Sequence, residues 1–143
     1  MSHFDYGYFS SNKKSNKEIR KKLLKSRTIK RKVLANELDF DYYDGDRKNG
    51  YGGFKYDGRW KIFLKKIIKR YNLNKNSKVL DISAKKGFFM HDLEEALPGV
   101  KVKGVENHPY PIEQAMESVK ENIVLCPYEK LPFENNSFDF VIA

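Results

Sequence analysis

The sequence is poor in the residues that make covalent or metal staples: one cysteine, Cys126, and three histidines. A single thiol cannot close an intramolecular disulfide. So few imidazoles, at no ligand-like spacing, leave a zinc centre short of its four donors. Cys126 follows an apolar run and reads as a small core residue at a strand end, since nothing suggests a base beside it. No apolar stretch is long enough to cross a bilayer, and the amino terminus lacks the apolar core of a signal peptide. A cytoplasmic location with no transmembrane segment is the expectation. Acidic residues are outnumbered: 28 Lys and Arg stand against 19 Asp and Glu, a net charge of +9. Such a balance suits an anionic partner, but lysine is spread over every part of the chain, so placement has to decide.

Aromatic and apolar content, at 14% and 40%, is enough for a folded body rather than a solvated chain. Three segments are expected: 1–40, a basic tail and helix; 41–60, a Gly/Tyr-rich segment; and 61–143, the main domain. Met1 to Asn16 is polar and without period. Lys17 to Leu34 is basic, with a ragged helical stripe through Ile19, Leu23, Ile29 and Val33. Two readings stay open: a helix on phosphates or lipid headgroups, or a surface helix held by a thin seam. The second is favoured, because no aromatic interleaves with the stripe. Asp44-Gly45-Asp46 invites a calcium loop, but that loop needs an acid at position twelve, where Lys55 stands. No metal is expected. From Trp60, apolar residues recur at Phe63, Leu64, Ile67, Ile68 and Tyr71. That spacing predicts an amphipathic helix, and Asp57 is placed to cap it.

The stretch Lys78 to Glu106 has the form strand, tight loop, helix, turn, strand. Val79, Leu80 and Ile82 suit a buried parallel strand, with Asp81 near its carboxyl end. Ser83 to Gly87 turns the chain. Phe88, Phe89, Leu93 and Leu97 then recur near helical spacing, and Pro98-Gly99 ends that helix. Val100, Val102 and Val105 give a second strand closing on Glu106. A parallel unit of this kind seats its ligand beyond the carboxyl ends of the strands. An acid there can accept hydrogen bonds from two neighbouring ribose hydroxyls. A further helix is expected from Pro109 and Pro111, turning Ile112, Ala115, Met116 and Val119 inward. Ile123–Leu125 and Phe138–Ile142 are expected as a third and a fourth strand, with His108 a bystander near Glu106.

Val79-Leu80-Asp81-Ile82 with Lys86-Gly87-Phe88, then Gly104-Val105-Glu106, resembles motif I and the following acidic motif of class I S-adenosylmethionine-dependent methyltransferases. Leu131-Pro132-Phe133 and Ser137-Phe138-Asp139-Phe140-Val141 are similar to a later stretch of that family. Tyr43-Asp44-Gly45 and Gly50-Tyr51-Gly52-Gly53-Phe54 resemble the opening segment of a bacterial subgroup. The resemblance runs from about Asp41 to Ala143 and implies an α/β, Rossmann-like doubly wound parallel sheet, truncated after about four strands, with a helical amino-terminal extension. It implies S-adenosylmethionine as cofactor and methyl transfer to an acceptor that the sequence does not name. Asp81 would orient the methionine amino group, Glu106 the ribose, and Asn107 would lie beside the adenine. Ser83 and Gly87 would offer backbone. Arg59 would reach the cofactor's carboxylate, and Tyr51 would give a flat face to cofactor or acceptor. No catalytic residue for the acceptor can be named.

The glycine loop departs from the family pattern, because Ser83-Ala84-Lys85 stands where glycines are usual. A non-glycine residue held at positive φ costs on the order of 1–3 kcal/mol. Lys85 also brings a cation toward a sulfonium, and Pro127 offers no side-chain acceptor near the adenine. The alternative reading is therefore a non-catalytic Rossmann-like remnant or association module. A third is a basic anion- or nucleic-acid-binding protein, not favoured. Because the fourth strand would be central in the family's order, an open edge at Phe138–Ile142 is expected, to be met by a completing chain or by self-association.

Overall fold

The computed structural model describes residues 21, 22, 25 and 28–143. The tail expected at Met1–Asn16, and much of the basic stripe before Thr28, lie outside the described residues. The chain divides into two compact units, one ending at Lys55 and the other running from Tyr56 to Ala143.

In the first unit, helix α1 (Ile29–Glu37) starts at Thr28, whose hydroxyl accepts the Arg31 amide at 3.4 Å. None of its residues is buried, and Leu38 closes it in the left-handed conformation. A single turn, α2 (Phe40–Tyr43), is capped by Asp39. The following loop folds back on it: the Tyr51 amide donates to Tyr42, and the Gly53 and Phe54 amides both donate to Tyr43. A Cβ on Gly50 would fall 2.2 Å from the Tyr42 carbonyl oxygen, so only glycine permits this approach. The Arg47 guanidinium ties the loop by donating to the carbonyls of Gly50 and Tyr51. The aromatic rings of the segment therefore pack on one another. Tyr51 stacks on Tyr43 at 5.8 Å and meets Phe54 at 4.7 Å between centroids.

The second unit is a parallel sheet with helices. Strand β1 (Lys78–Ile82) pairs with β2 (Lys101–Glu106) and with β4 (Phe140–Ile142), and β2 pairs with β3 (Ile123–Leu125). All pairings are parallel, in the order β3-β2-β1-β4. That is an α/β, Rossmann-like arrangement of four strands. Among the described residues β4 pairs with β1 alone. Its start is fixed by a reciprocal contact: the Lys78 amide donates to the Asp139 carboxylate and the Asp139 amide to the Lys78 carbonyl, both at 2.8 Å.

Helix α3 (Lys61–Arg70) follows the predicted stripe and buries Phe63, Leu64 and Ile67, with its lysines outward. Its amino end differs from expectation. The N-cap is Trp60, without a side-chain cap. Asp57 instead folds locally, accepting the Arg59 amide and pairing with the Arg59 guanidinium. Two residues are enough for that turn, so the carboxylate is used before the helix begins. Helix α4 (Phe88–Ala96) buries Phe89, Met90 and Leu93, and Trp60 meets Phe89 edge to face. Gly104 lets this helix settle on β2, for a Cβ there would lie 2.6 Å from the Met90 sulfur and 2.8 Å from the Ala84 Cβ. The last helix, α5 (Pro109–Glu113), is shorter than its apolar pattern suggested. The chain continues in turns that still bury Ala115 and Val119. A 3₁₀ turn at Lys120–Asn122 leads into β3.

Candidate functional site

The carboxyl ends of β1 and β2 bring two carboxyl groups together. Asp81 pairs in register with Gly104, and Glu106 lies two residues further along β2. Side chains alternate along a strand, so Asp81 and Glu106 share one face of the sheet, toward α4. Both are buried, at 7% and 2% exposure. The Asp81 carboxyl has no hydrogen-bond partner among the described residues. Burial pushes its pKa up to about 7; Lys85 lowers it and the Glu106 charge adds to the rise. This is the chemistry of a group waiting for a cation or a donor.

Glu106 is by contrast held from three sides. Its Oε2 accepts the Lys85 amide at 2.9 Å. Its Oε1 accepts the Asn107 amide at 2.9 Å and the Tyr128 hydroxyl at 2.7 Å. The Tyr128 phenol is pushed up to about 12 by desolvation, with Ser83 acting against the rise and the Glu106 carboxylate reinforcing it. Sequence reasoning missed Tyr128, because nothing in the local pattern says that a ring after β3 reaches back to the tip of β2.

The loop between Asp81 and α4 keeps a glycine-type path with only its last glycine, Gly87. Ser83, Lys85 and Gly87 all adopt positive φ, at 67°, 53° and 72°. The turn is held because the amides of Ser83 and Ala84 both donate to the Val105 carbonyl at 3.0 Å. At Gly87 a Cβ would come within 2.6 Å of the Val119 side chain, so glycine is required there on two counts.

Of the residues expected to serve a cofactor, Asp81, Ser83, Gly87, Glu106 and Asn107 fall at this one end of the sheet. Arg59 precedes α3 in the same unit, its guanidinium engaged by Asp57 at 2.7 Å. Tyr51 belongs to the first unit and is built into that unit's aromatic cluster. His108 adds an imidazole one residue beyond Asn107, with its Nδ1 buried and unpartnered. A cavity of about 360 Å³ opens elsewhere, at the amino-terminal half of the strands, lined by Lys78, Lys101, Lys103, Phe133 and Phe138. The chemistry of the strand tips, not that cavity, marks the candidate site. Among the described residues no helix is long and apolar enough to cross a membrane.

The parallel order, the loop at positive φ and the helices packed on the sheet define a Rossmann-like α/β unit, with two buried carboxyls at neighbouring strand tips. Residues 80–143 match the sequence model of the family described as Methyltransferase domain. Among solved structures, a candidate S-adenosyl-L-methionine-dependent methyltransferase of Methanococcus maripaludis matches with TM-score 0.52 and 18% identity, over 57% of this chain and 40% of that one. That likeness shows the fold. The MccD protein matches with TM-score 0.49 and 25% identity, over 55% of this chain and 37% of that one. A SAM-dependent methyltransferase from Aquifex aeolicus matches with TM-score 0.46 and 21% identity, over 61% and 56%. The chain thus spans well under two thirds of the length of each. No curated protein sequence matches the chain.

Proposed function

We propose that this chain carries the nucleoside-binding part of an S-adenosylmethionine-dependent methyltransferase, working in the cytoplasm on an acceptor of unassigned class. The observation that carries the reading is the pair of buried carboxyls, Asp81 and Glu106, on one face at neighbouring strand tips. The residues present fit such a cofactor. Asp81 is unpaired and would take the amino group of the methionine part. Glu106 would accept from the ribose. Ser83 and Gly87 would offer backbone to the methionine part, and the exposed Asn107 would lie beside the adenine. When bound, the cofactor supplies a methyl group on a sulfonium for in-line displacement by a nucleophile. The chain's own part is positioning and exclusion of water. Arg59 would serve the carboxylate only after leaving Asp57, and Tyr51 would need its ring freed from Tyr43.

Calorimetric titration of the chain with S-adenosylhomocysteine tests this. Binding in the micromolar to millimolar range is expected. No heat at millimolar ligand would remove cofactor binding from this chain.

A second reading is a non-catalytic remnant that keeps the fold. The left-handed Ser83 and Lys85 favour it, because each holds a residue with a Cβ in a conformation that glycine adopts without strain. Binding that appears only when both are glycine would select it. The edge of β4 supports a further proposal, a completing strand from another chain or a second copy. Light scattering at increasing protein concentration reports on the second-copy case.

A further inference from the structure

Tyr128 follows β3 by three residues, on a turn in which the Lys130 amide donates to the Pro127 carbonyl at 3.1 Å. Just before it the Cys126 amide is anchored on the Glu106 carbonyl at 2.9 Å. The anchor fixes the start of the turn against the tip of β2, and the phenol reaches across to the carboxylate. Its hydroxyl meets Glu106 Oε1 at 2.7 Å, with Ser83 and the Asn107 amide also turned toward the phenol oxygen.

An ionised carboxylate has about four lone-pair sites, two on each oxygen. Three are taken here. Oε2 holds the Lys85 amide and keeps one site; Oε1 holds the Asn107 amide and Tyr128 and keeps none. A vicinal diol, gripping a carboxylate with one hydroxyl on each oxygen, needs one site on each. The two backbone amides belong to the loop and to the strand end and cannot leave without unmaking the turn. Tyr128 is the one donor of the three carried on a side chain, only part-buried, and free to rotate away.

We propose that Tyr128 is a built-in stand-in for a ribose hydroxyl: it satisfies Glu106 while the site is empty, and a nucleoside with a free 2′,3′-diol binds only by displacing it. The proposal rests on the nucleoside reading above and adds a specificity-determining residue to it. It explains how a carboxylate at 2% exposure stays satisfied without ligand, since an unmatched buried acceptor is costly. It also makes the site selective. A ligand without the diol gains nothing from moving Tyr128, whereas one with it exchanges one O–H donor for another and gains a second bond on Oε2.

The test is calorimetric titration of the full chain and of Tyr128→Phe with adenosine, S-adenosylhomocysteine and 2′,3′-dideoxyadenosine. Removing the competing hydroxyl is expected to tighten adenosine and S-adenosylhomocysteine about tenfold, from the strength of a hydrogen bond to a charged group, and to leave the dideoxy compound unchanged. If adenosine binds both proteins equally, or binds Tyr128→Phe more weakly, the stand-in is overturned and the nucleoside reading survives. If adenosine binds neither, both fall. In the unsubstituted chain, NMR of labelled tyrosine gives a readout independent of the variant's folding. The Tyr128 ring resonances must move on saturation with adenosine. A ring that keeps its shifts while adenosine is bound also overturns the proposal.

Discussion

Ser83 and Lys85, two residues apart, hold the same left-handed backbone, φ 67° and 53°, and frame an Ala84 whose amide is bonded to the Val105 carbonyl. Both residues are strained relative to glycine. Each such position costs on the order of 1 kcal/mol or more for a residue with a Cβ, against a glycine entropy cost of about 0.5–1 kcal/mol. The double variant Ser83→Gly, Lys85→Gly is expected to be more stable than the parent by up to about 2 kcal/mol, read as a higher urea midpoint at unchanged slope. An unchanged or lower midpoint would show that the loop draws on contacts of these side chains that outweigh the backbone strain.

Asp81 makes stability depend on pH. Folded, its carboxyl keeps a proton up to about pH 7 through burial; its ordinary value is 3.8. Between those values the folded chain holds more protons than the unfolded one, so this group's contribution falls as pH rises through the window and is fully lost above it. At about 1.4 kcal/mol per pH unit, the loss reaches at most on the order of 4 kcal/mol. Asp81→Asn is expected to remove that slope and to be the more stable protein at pH 8. Denaturation midpoints of both proteins from pH 4 to 8 check this. Parallel curves would mean that Asp81 is solvated or paired in solution.

The same group sets the pH dependence of ligand binding, with the opposite sense. An ammonium needs the ionised carboxylate, so affinity for S-adenosylhomocysteine is expected to weaken toward tenfold per unit as pH falls below about 7. Adenosine, which lacks the amino group, should show no such slope. Titrations at pH 6, 7 and 8 separate the two ligands; equal slopes would take Asp81 out of contact with the amino group.

The sequence carried most of this. Apolar runs and helical spacing were enough for β1, α3, α4 and β2, because the strands bury consecutive residues and each helix buries one apolar face. The tip carboxyls were legible too: once the strands are placed, Glu106 ends β2 and Asp81 is the last residue but one of β1. Less visible were contacts made across long separations by residues with no local signature. Tyr128 reaches Glu106 over 22 positions, and Tyr56 reaches Asp92 over 36. The cap at Asp57 was misjudged because a short carboxylate closes its own turn as readily as a helix. The length of α5 was misjudged because the buried Ala115 and Val119 can follow a helical period without a helix.

Asp92 is the most demanding of these hidden contacts. It lies on α4 at 0% exposure. Its Oδ1 accepts the Tyr56 hydroxyl at 2.5 Å and has the Lys61 ammonium 4.0 Å away, while its Oδ2 is buried without a partner. Lys61 is itself committed to Glu95 at 2.7 Å, so the phenol is the closest donor to a buried charge. A carboxylate that loses such a donor keeps its desolvation cost and gains nothing in exchange. Tyr56→Phe is therefore expected to lower the thermal midpoint by several degrees, although it removes one oxygen from a ring that is partly exposed. Tyr56→Phe combined with Asp92→Leu should recover much of the loss, since the apolar pair leaves no charge unmatched. Thermal melts of the two variants decide. A double variant no better than the single one would show that the abandoned carboxylate is not the source of the loss.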